Sequence, residues 1–69
     1  MSILKVVEVL SESSESWEDA ARQAVAEAAQ TLRNIRSIYI ENLQATVVDG
    51  AIAKYRVNAK ITFSLEPER

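Results

Sequence analysis

The feature that most constrains this chain is an alternation of apolar and polar residues over fifteen residues, from Ala51 to Leu65, in which Ile52 is the one apolar residue at a polar position. Successive side chains of a β-strand point to opposite faces of its sheet, so a period of two predicts a strand with one apolar and one polar face. The stretch is far longer than a typical strand of about five or six residues. Its polar half includes a basic strip, which consists of Lys54, Arg56 and Lys60.

A second long strand is predicted immediately before this one, over residues 37–47. The two strands are separated by Asp49-Gly50, a pair typical of two-residue hairpin turns in which both residues take positive φ. Gly50 is the one glycine of the sequence. Within residues 37–47, Ile38 and Ile40 are expected to mark one face. The other face is expected to carry Tyr39, Leu43, Ala45 and Val47.

The N-terminal part of the chain predicts a further strand. Residues 3–10 are rich in β-branched side chains, which favour strands. The sequence SESSES at residues 11–16 predicts a polar break after that strand. Ser13 or Ser14 is expected to cap the helix that follows, because a serine hydroxyl accepts a hydrogen bond from a free N–H of the first helical turn.

An amphipathic helix is predicted from Trp17 onward. Its apolar residues recur at spacings of three and four, the period of a helix with one buried face. They are Trp17, Ala20, Ala21, Ala24, Val25, Ala28 and Leu32. Asn34 is expected to stop the helix in a left-handed conformation. The predicted fold class is therefore α+β, a β-α-β-β chain in which a three-stranded antiparallel sheet packs on one helix, with residues 1–69 forming a single domain.

The size of the chain favours assembly with copies of itself. It has 69 residues and contains neither cysteine nor histidine, which excludes disulfides and the usual zinc sites. A lone core in a chain shorter than about 70–80 residues rarely supplies more than about 3–5 kcal/mol. One helix of about 18–20 residues spans only about 30 Å and leaves two long strands partly uncovered. Either oligomerisation or a hard cation bound by oxygen ligands is left to stabilise the fold, and the uncovered strands favour a homo-oligomer.

Composition also limits the possible functions. The net charge is −2 and no block of basic residues occurs, so nucleic-acid binding is not expected. No apolar run approaches the roughly 18 residues that cross a bilayer, so no membrane association is expected, and the cytoplasm is the default location. Without histidine or cysteine the common catalytic triads and acid–base pairs are excluded. We therefore do not expect an enzyme.

Several residues are candidates for ligand contacts, each with a structural alternative. Residues 11–16 suit either a phosphate or cation site or, more simply, a solvated start of the helix. The basic strip suits either an anionic ligand or an ordinary solvated strand face. Trp17 suits a ligand platform, although its place in the apolar stripe favours the core. Tyr39 and Tyr55 suit stacking on a planar ligand or packing at an interface.

Two long segments of the sequence resemble the dodecin family. They are KVVEVLSESSESWEDAARQAVAEAAQTLRNIR, residues 5–36, and VVDGAIAKYRVNAKITFSLE, residues 47–66. The first resembles the family pattern of a strand ending in Glu-Leu or Glu-Val followed by Ser-x-Glu-Ser-Trp-Glu-Asp-Ala-Ala. The resemblance implies a β-α-β-β protomer that assembles into a hollow homododecamer. In many members this shell binds riboflavin or FMN, storing or quenching the flavin.

The resemblance also implies a flavin-type pocket that includes Ser37, Asn42, Gln44 and Arg56. Flavin-binding dodecins have a stacking tryptophan where this sequence has Ser37, and a glutamine where it has Arg56. Serine has no aromatic face, and arginine donates hydrogen bonds but does not accept them.

The sequence at residues 34–40 is similar to a branch of the family that lacks this tryptophan and is linked to calcium. Calcium is therefore an alternative ligand, held by carboxylates that several subunits contribute, such as Glu8, Glu41 or Glu66. An assembly without a dedicated ligand is a third possibility.

Overall fold

The fold is a three-stranded antiparallel sheet that carries one helix. The computed structural model describes residues 3–66, which form β1 (Leu4–Ser13), α1 (Trp17–Thr31), β2 (Ile35–Val48) and β3 (Ala51–Ser64). The strand order is β1-β3-β2, so the long alternating strand is the central one. The predicted α+β class and the β-α-β-β order are confirmed. The helix of residues 3–66 is too short to cross a membrane.

The core lies between α1 and the apolar face of β3. Its buried apolar residues are Ala20, Ala24, Val57, Ala59 and Ile61. Trp17, Val9 and Ile38 pack around this cluster while remaining partly exposed. Because the helix contributes alanines, it lies close to the sheet, and the strands supply most of the buried volume.

A β-bulge in β2 changes the predicted assignment of its two faces. The register of β2 against β3 shifts between Ile40 and Asn42. An extra residue in one strand reverses the alternation beyond it. Leu43 and Ala45 therefore lie on the helix side together with Ile40, whereas Tyr39 lies on the opposite side. The prediction that Leu43 and Ala45 share the face of Tyr39 was wrong, because the alternation is not continuous through this strand.

The polar segment at residues 11–16 does not break the strand where the sequence predicted. β1 continues to Ser13 and remains paired with β3 throughout. The added residues are held from the helix side, where Ser11 Oγ donates a 2.8 Å hydrogen bond to the carbonyl oxygen of Ala20. A serine on the helix side of β1 can therefore remain in the strand while its hydroxyl bonds to the backbone of α1. The prediction of a break from residue 11 was wrong.

The helix begins after Ser16, which is its N-cap. Ser16 Oγ accepts a hydrogen bond from the backbone N–H of Asp19 at 2.9 Å. Ser13 and Ser14 were the predicted caps. Ser13 is instead buried, donates to Asp19 Oδ2 at 2.6 Å and accepts from the backbone N–H of Glu15 at 2.9 Å. It ties the end of β1 to the first turn of α1, and Ser14 is exposed.

The two predicted left-handed positions are confirmed, although the helix is shorter than expected. Asn34 has a φ of 64°, but α1 has 15 residues and ends three residues earlier, at Thr31. Asp49 and Gly50 have φ values of 53° and 78°, which is the paired positive φ of a type I′ hairpin.

The protomer is elongated, with extents of 51 × 19 × 14 Å and a radius of gyration of 14.0 Å. A compact chain of this length has a radius of gyration of about 11 Å. The excess comes from the hairpin of β2 and β3, whose residues 47–54 are all exposed beyond the helix. Large exposed apolar side chains include Leu4, Val6, Leu10, Leu43, Val47, Val48 and Ile52. The predicted overhang of the long strands is confirmed.

Candidate functional site: the open face of the sheet

The side of the sheet opposite α1 is here called the open face, and nothing in residues 3–66 packs over it as a second layer. The strand registers decide which residues project there. From β1 they are Val6, Glu8, Leu10 and Glu12; from β3, Lys54, Arg56, Asn58, Lys60 and Thr62; and from β2, Ser37, Tyr39, Asn42, Gln44 and Thr46.

Three of the four expected pocket residues lie together on the open face. Gln44 is opposite Arg56 in the sheet, and Gln44 Nε2 donates a hydrogen bond to Asn42 Oδ1 at 3.2 Å. Ser37 is opposite Thr62, which is six residues from Arg56 along β3. At about 3.3 Å per residue, this separates Ser37 from Arg56 by about 20 Å. Within one protomer the structure therefore unites Asn42, Gln44 and Arg56 and leaves Ser37 apart.

Arg56 is engaged by an acidic residue of the neighbouring strand. Its Nε atom donates to Glu12 Oε2 at 2.5 Å, and the other carboxylate oxygen of Glu12 lies 3.9 Å from Lys54 Nζ. The hydrogen bond from Arg56 lowers the pKa of the Glu12 carboxyl below its ordinary value. Partial desolvation opposes this shift, and the positive charges of Arg56 and Lys54 add to it.

The remaining cation of the basic strip is also paired. Lys60 Nζ lies 3.8 Å from Glu41 Oε1, and Glu8 is opposite Lys60 in the register of β1 and β3. The basic strip thus carries three cations beside three carboxylates, those of Glu8, Glu12 and Glu41. It is a charge-compensated surface rather than the unpaired basic patch that an anionic ligand would favour.

The aromatic residues divide between the two sides of the sheet. Tyr55 lies on the helix side, where its ring is 4.9 Å from that of Trp17 in an edge-to-face arrangement. Trp17 packs on the core and donates from Nε1 to the main-chain oxygen of Gln44 at 2.7 Å. Tyr39 is 63% exposed and is the one aromatic residue that residues 3–66 place on the open face. Of the aromatic candidates, Tyr39 is therefore the one available for stacking there.

The three carboxylates considered for calcium do not meet within one protomer. Glu8 and Glu41 belong to strands on opposite sides of β3, about 10 Å apart at two strand spacings. Glu66 lies beyond the end of β3, where its main-chain oxygen accepts from Asn34 Nδ2 at 3.2 Å. In the part of the chain that the structure describes, no group of three or more acidic residues is arranged to hold a metal ion.

Two apolar grooves flank α1. One, of about 250 Å³, lies between Trp17 and the β2 residues Ile40 and Leu43, because the helix packs mainly on β1 and β3. The other, of about 330 Å³, lies between Val9 of β1 and Ala28 of α1. These grooves and the outer edges of β1 and β2 leave apolar surface and unpaired strand edges exposed in residues 3–66.

Glu12 is the residue of this site that the sequence analysis did not single out. Glu12 and Arg56 are 44 residues apart in the chain and meet only because β1 pairs with β3. The sequence offered no local signal for it, because the polar residues Ser11 and Ser13 interrupt the apolar face of β1 around Glu12.

The geometry defines a class of small α+β protein in which a long, twisted hairpin carries one helix on one side and an exposed polar surface on the other. Among known families, the dodecin family model matches residues 3–66. This chain belongs to the dodecin family.

Characterised relatives support the assignment. Calcium dodecin from Mycobacterium tuberculosis is 30% identical over 67 residues, covering 97% of this chain and 94% of that protein. A dodecin from Thermus thermophilus is 30% identical over 64 residues, covering 93% of each chain.

Solved structures of the family have the same fold. Dodecin from Streptomyces coelicolor superposes with a TM-score of 0.90 at 31% identity, covering 97% of this chain and 96% of that one. The structure of the calcium-chelating calcium dodecin of Mycobacterium tuberculosis superposes with a TM-score of 0.81 at 29% identity, covering 97% of this chain and 96% of that one. That structure contains a calcium-binding site.

Proposed function

We propose that this protein is a homododecameric binding shell that stores or sequesters a small planar ligand of the flavin type on the open face of its sheet. The proposal rests mainly on the grouping of Asn42, Gln44 and Arg56 on that face, with the exposed ring of Tyr39 on the same strand. An aromatic ring offers stacking, and the two amides both donate and accept hydrogen bonds, which suits a ring with a polar edge.

Assembly is part of this proposal. The protomer exposes two apolar grooves and an overhanging hairpin, and its buried core contains only a few side chains. Because Ser37 and Arg56 are about 20 Å apart in one chain, a single ligand that contacts both positions lies between two copies. The shell is thus needed to complete the site as well as to stabilise the fold.

The absence of an aromatic residue at Ser37 weakens the proposed flavin site relative to one with tryptophan there. Stacking of an aromatic pair contributes about 0.5–1.5 kcal/mol beyond the burial of area. Tyr39 lies two residues further along β2 and on the same face, about 7 Å away. We propose Tyr39 as the stacking residue of this chain.

The experiment begins with the purified protein in buffer without added ligand. Light scattering is expected to give a mass twelve times the 7.7 kDa of one chain. Riboflavin fluorescence is expected to be quenched on titration with protein. Tyr39→Ala is expected to weaken this quenching. Tyr55→Phe, on the other side of the sheet, is the control and is expected to leave the quenching unchanged. A monomer over the micromolar range would exclude the shell, and equal quenching by wild type and Tyr39→Ala would exclude the stacking role.

Calcium is the second candidate ligand. It is favoured by the similarity to calcium dodecin and by Ser37 in place of an aromatic residue. Because Glu8 and Glu41 are separated within one chain, such a site would take carboxylates from several subunits around a symmetry axis. Calorimetric titration with Ca²⁺ of wild type and of Glu8→Gln and Glu41→Gln variants tests this candidate. Heat that is saturable in wild type and lost in one of these variants would establish it over the flavin-type ligand.

A further inference from the structure

The shortest ion pair that residues 3–66 form on the open face joins two residues outside the buried core. Glu12 and Arg56 are directly opposite in neighbouring strands, and their side chains meet at 2.5 Å. The pair stands in one row with Gln44, since Gln44 is opposite Arg56 from the other side. The carboxylate of Glu12 therefore pairs with the guanidinium of Arg56 at the edge of the proposed ligand surface.

The same acid also reaches the neighbouring cation. Glu12 Oε1 is 3.9 Å from Lys54 Nζ, so one carboxylate lies beside both cations at this end of the basic strip. Arginine and lysine are the residues that bind phosphate groups, arginine through paired hydrogen bonds and lysine as a point charge. A phosphate monoester carries about −1.5 to −2 charge near neutral pH and would have to displace Glu12 to reach them.

Displacement of Glu12 is opposed by its attachment to β1. The backbone of Glu12 is held in the ladder with β3, about 4.8 Å from the backbone of Arg56. Its side chain can change rotamer, but its Cβ stays opposite Arg56 in the ladder, so the carboxylate remains within reach of the guanidinium. An approaching phosphate would therefore meet a tethered carboxylate that also carries a negative charge.

We propose that Glu12 determines the charge of the ligand, so that the open face accepts a neutral planar molecule such as riboflavin and rejects its phosphorylated form. This inference rests on the proposed flavin-type function and adds the selectivity of that site. It assigns Glu12 as a residue that determines specificity. Glu12 acts by pairing with Arg56 and Lys54, so that neither cation is available to a phosphate group.

The test compares Glu12→Gln with Glu15→Gln, which removes the same charge from an exposed residue that borders the same cleft as Glu12 and Lys54 but is not the partner of Arg56. Fluorescence titrations with riboflavin and FMN are expected to show that Glu12→Gln increases the FMN-to-riboflavin affinity ratio at least tenfold, whereas Glu15→Gln leaves it at the wild-type value. Glu12→Thr serves as a second variant that lacks the carboxylate, because threonine is well suited to a β-strand. A wild type that binds both flavins equally, or equal ratios in the Glu12 and Glu15 variants, would overturn the inference.

A second measurement separates this inference from the proposed function. Inorganic pyrophosphate is titrated into protein labelled with ¹⁵N, and the Nε signal of Arg56 is followed. Glu12→Gln is expected to show a saturable shift of this signal that wild type and Glu15→Gln lack. If no protein binds a flavin but this shift occurs, the flavin function fails and the role of Glu12 stands. If flavin binds and the Glu12→Gln signal does not respond to pyrophosphate, the role of Glu12 fails alone.

Discussion

The indole N–H of Trp17 donates a 2.7 Å hydrogen bond to the main-chain oxygen of Gln44, joining the first residue of α1 to the middle of β2. The side chain of Gln44 projects from the other side of the strand and donates to Asn42. The helix therefore fixes the backbone position from which an amide of the proposed ligand surface extends. Packing on one side of the sheet and binding on the other are linked through a single residue.

Replacement of Trp17 by phenylalanine is expected to lower the free energy of unfolding by about 0.5–1.5 kcal/mol. The phenyl ring retains the apolar contact with Tyr55, but the hydrogen bond to Gln44 is lost. Urea unfolding at one fixed protein concentration measures the change. Tyr39→Phe is the control, because it removes a polar group from an exposed ring and is expected to change stability by less than about 0.5 kcal/mol. Equal effects of the two substitutions would contradict the structural role of the indole N–H.

Replacement of Ser16 by alanine is expected to cost about 1 kcal/mol of stability, since Ser16 Oγ caps the backbone N–H of Asp19. Ser14→Ala, two residues earlier and exposed, is the matched control and is expected to have little effect. Thermal and urea unfolding of both variants distinguish the cap that the structure shows from the one that the sequence predicted. A larger loss in Ser14→Ala would place the cap there instead.

The sequence predicted most of the fold because its two strongest patterns are local. Long alternation, broken at Ile52 alone, identified β3, and the pair Asp49-Gly50 identified the hairpin. The bulge after Ile40 carries no local signal of this kind, since it depends on how β2 matches its partner strand. One extra residue there was enough to place Leu43 and Ala45 on the wrong face in the prediction.

The proposed site was less accessible to sequence reasoning than the fold. Asn42, Gln44 and Arg56 were named from the family resemblance, and the register brings them together. The ion pair of Arg56 with Glu12 was not foreseen, because β1 was expected to end before Glu12. A contact between residues 44 positions apart depends on strand pairing that short-range periodicity does not encode.

The Glu12–Arg56 pair is expected to make stability depend on pH in the acidic range. The pKa of Glu12 is lowered in the folded protein, so the stabilisation is present above its unfolded-state pKa of about 4.3. It is lost as the pH falls through the lower folded-state value. The difference in urea midpoint between wild type and Glu12→Gln is therefore expected to shrink as the pH is lowered from 6 toward 3 in buffers of constant ionic strength.

The same pH series in an Arg56→Met background serves as the control for this prediction. Methionine retains an unbranched side chain but cannot pair with the carboxylate, so Glu12→Gln is expected to have no pH-dependent effect there. A difference that grows toward low pH, or that persists with Arg56→Met, would show that another group is responsible.

Replacement of Leu43 by glutamate is expected to disrupt the proposed assembly. Leu43 is 54% exposed in one protomer and borders the apolar groove beside Trp17, where a neighbouring copy would pack. A buried, unpaired charge at such a contact is strongly unfavourable. Ala26→Glu, an equal change of charge at an exposed helix position, is expected to leave the mass unchanged in light scattering. A dodecamer formed equally well by both variants would show that this groove does not lie in a subunit interface.

The last prediction concerns the aromatic residue that this chain lacks. Ser37→Trp adds a stacking face to the open side of β2, worth about 0.5–1.5 kcal/mol. Combined with Arg56→Gln, which supplies a group that both donates and accepts, it is expected to tighten riboflavin binding at least tenfold, or about 1.4 kcal/mol. Ser37→Leu is the matched control, since it adds apolar area without an aromatic face.

Fluorescence quenching titrations of wild type, the two single variants and the double variant also test where the ligand lies. Ser37 and Arg56 are about 20 Å apart in one protomer, so they contact one riboflavin only if it bridges two copies. Bridging predicts that the double variant gains more than the two single variants combined. Strictly additive gains would place the two positions at separate ligands. An assembled double variant with no gain in affinity would show that Ser37 and Arg56 do not limit flavin binding. A wild type that already binds riboflavin tightly would show the same.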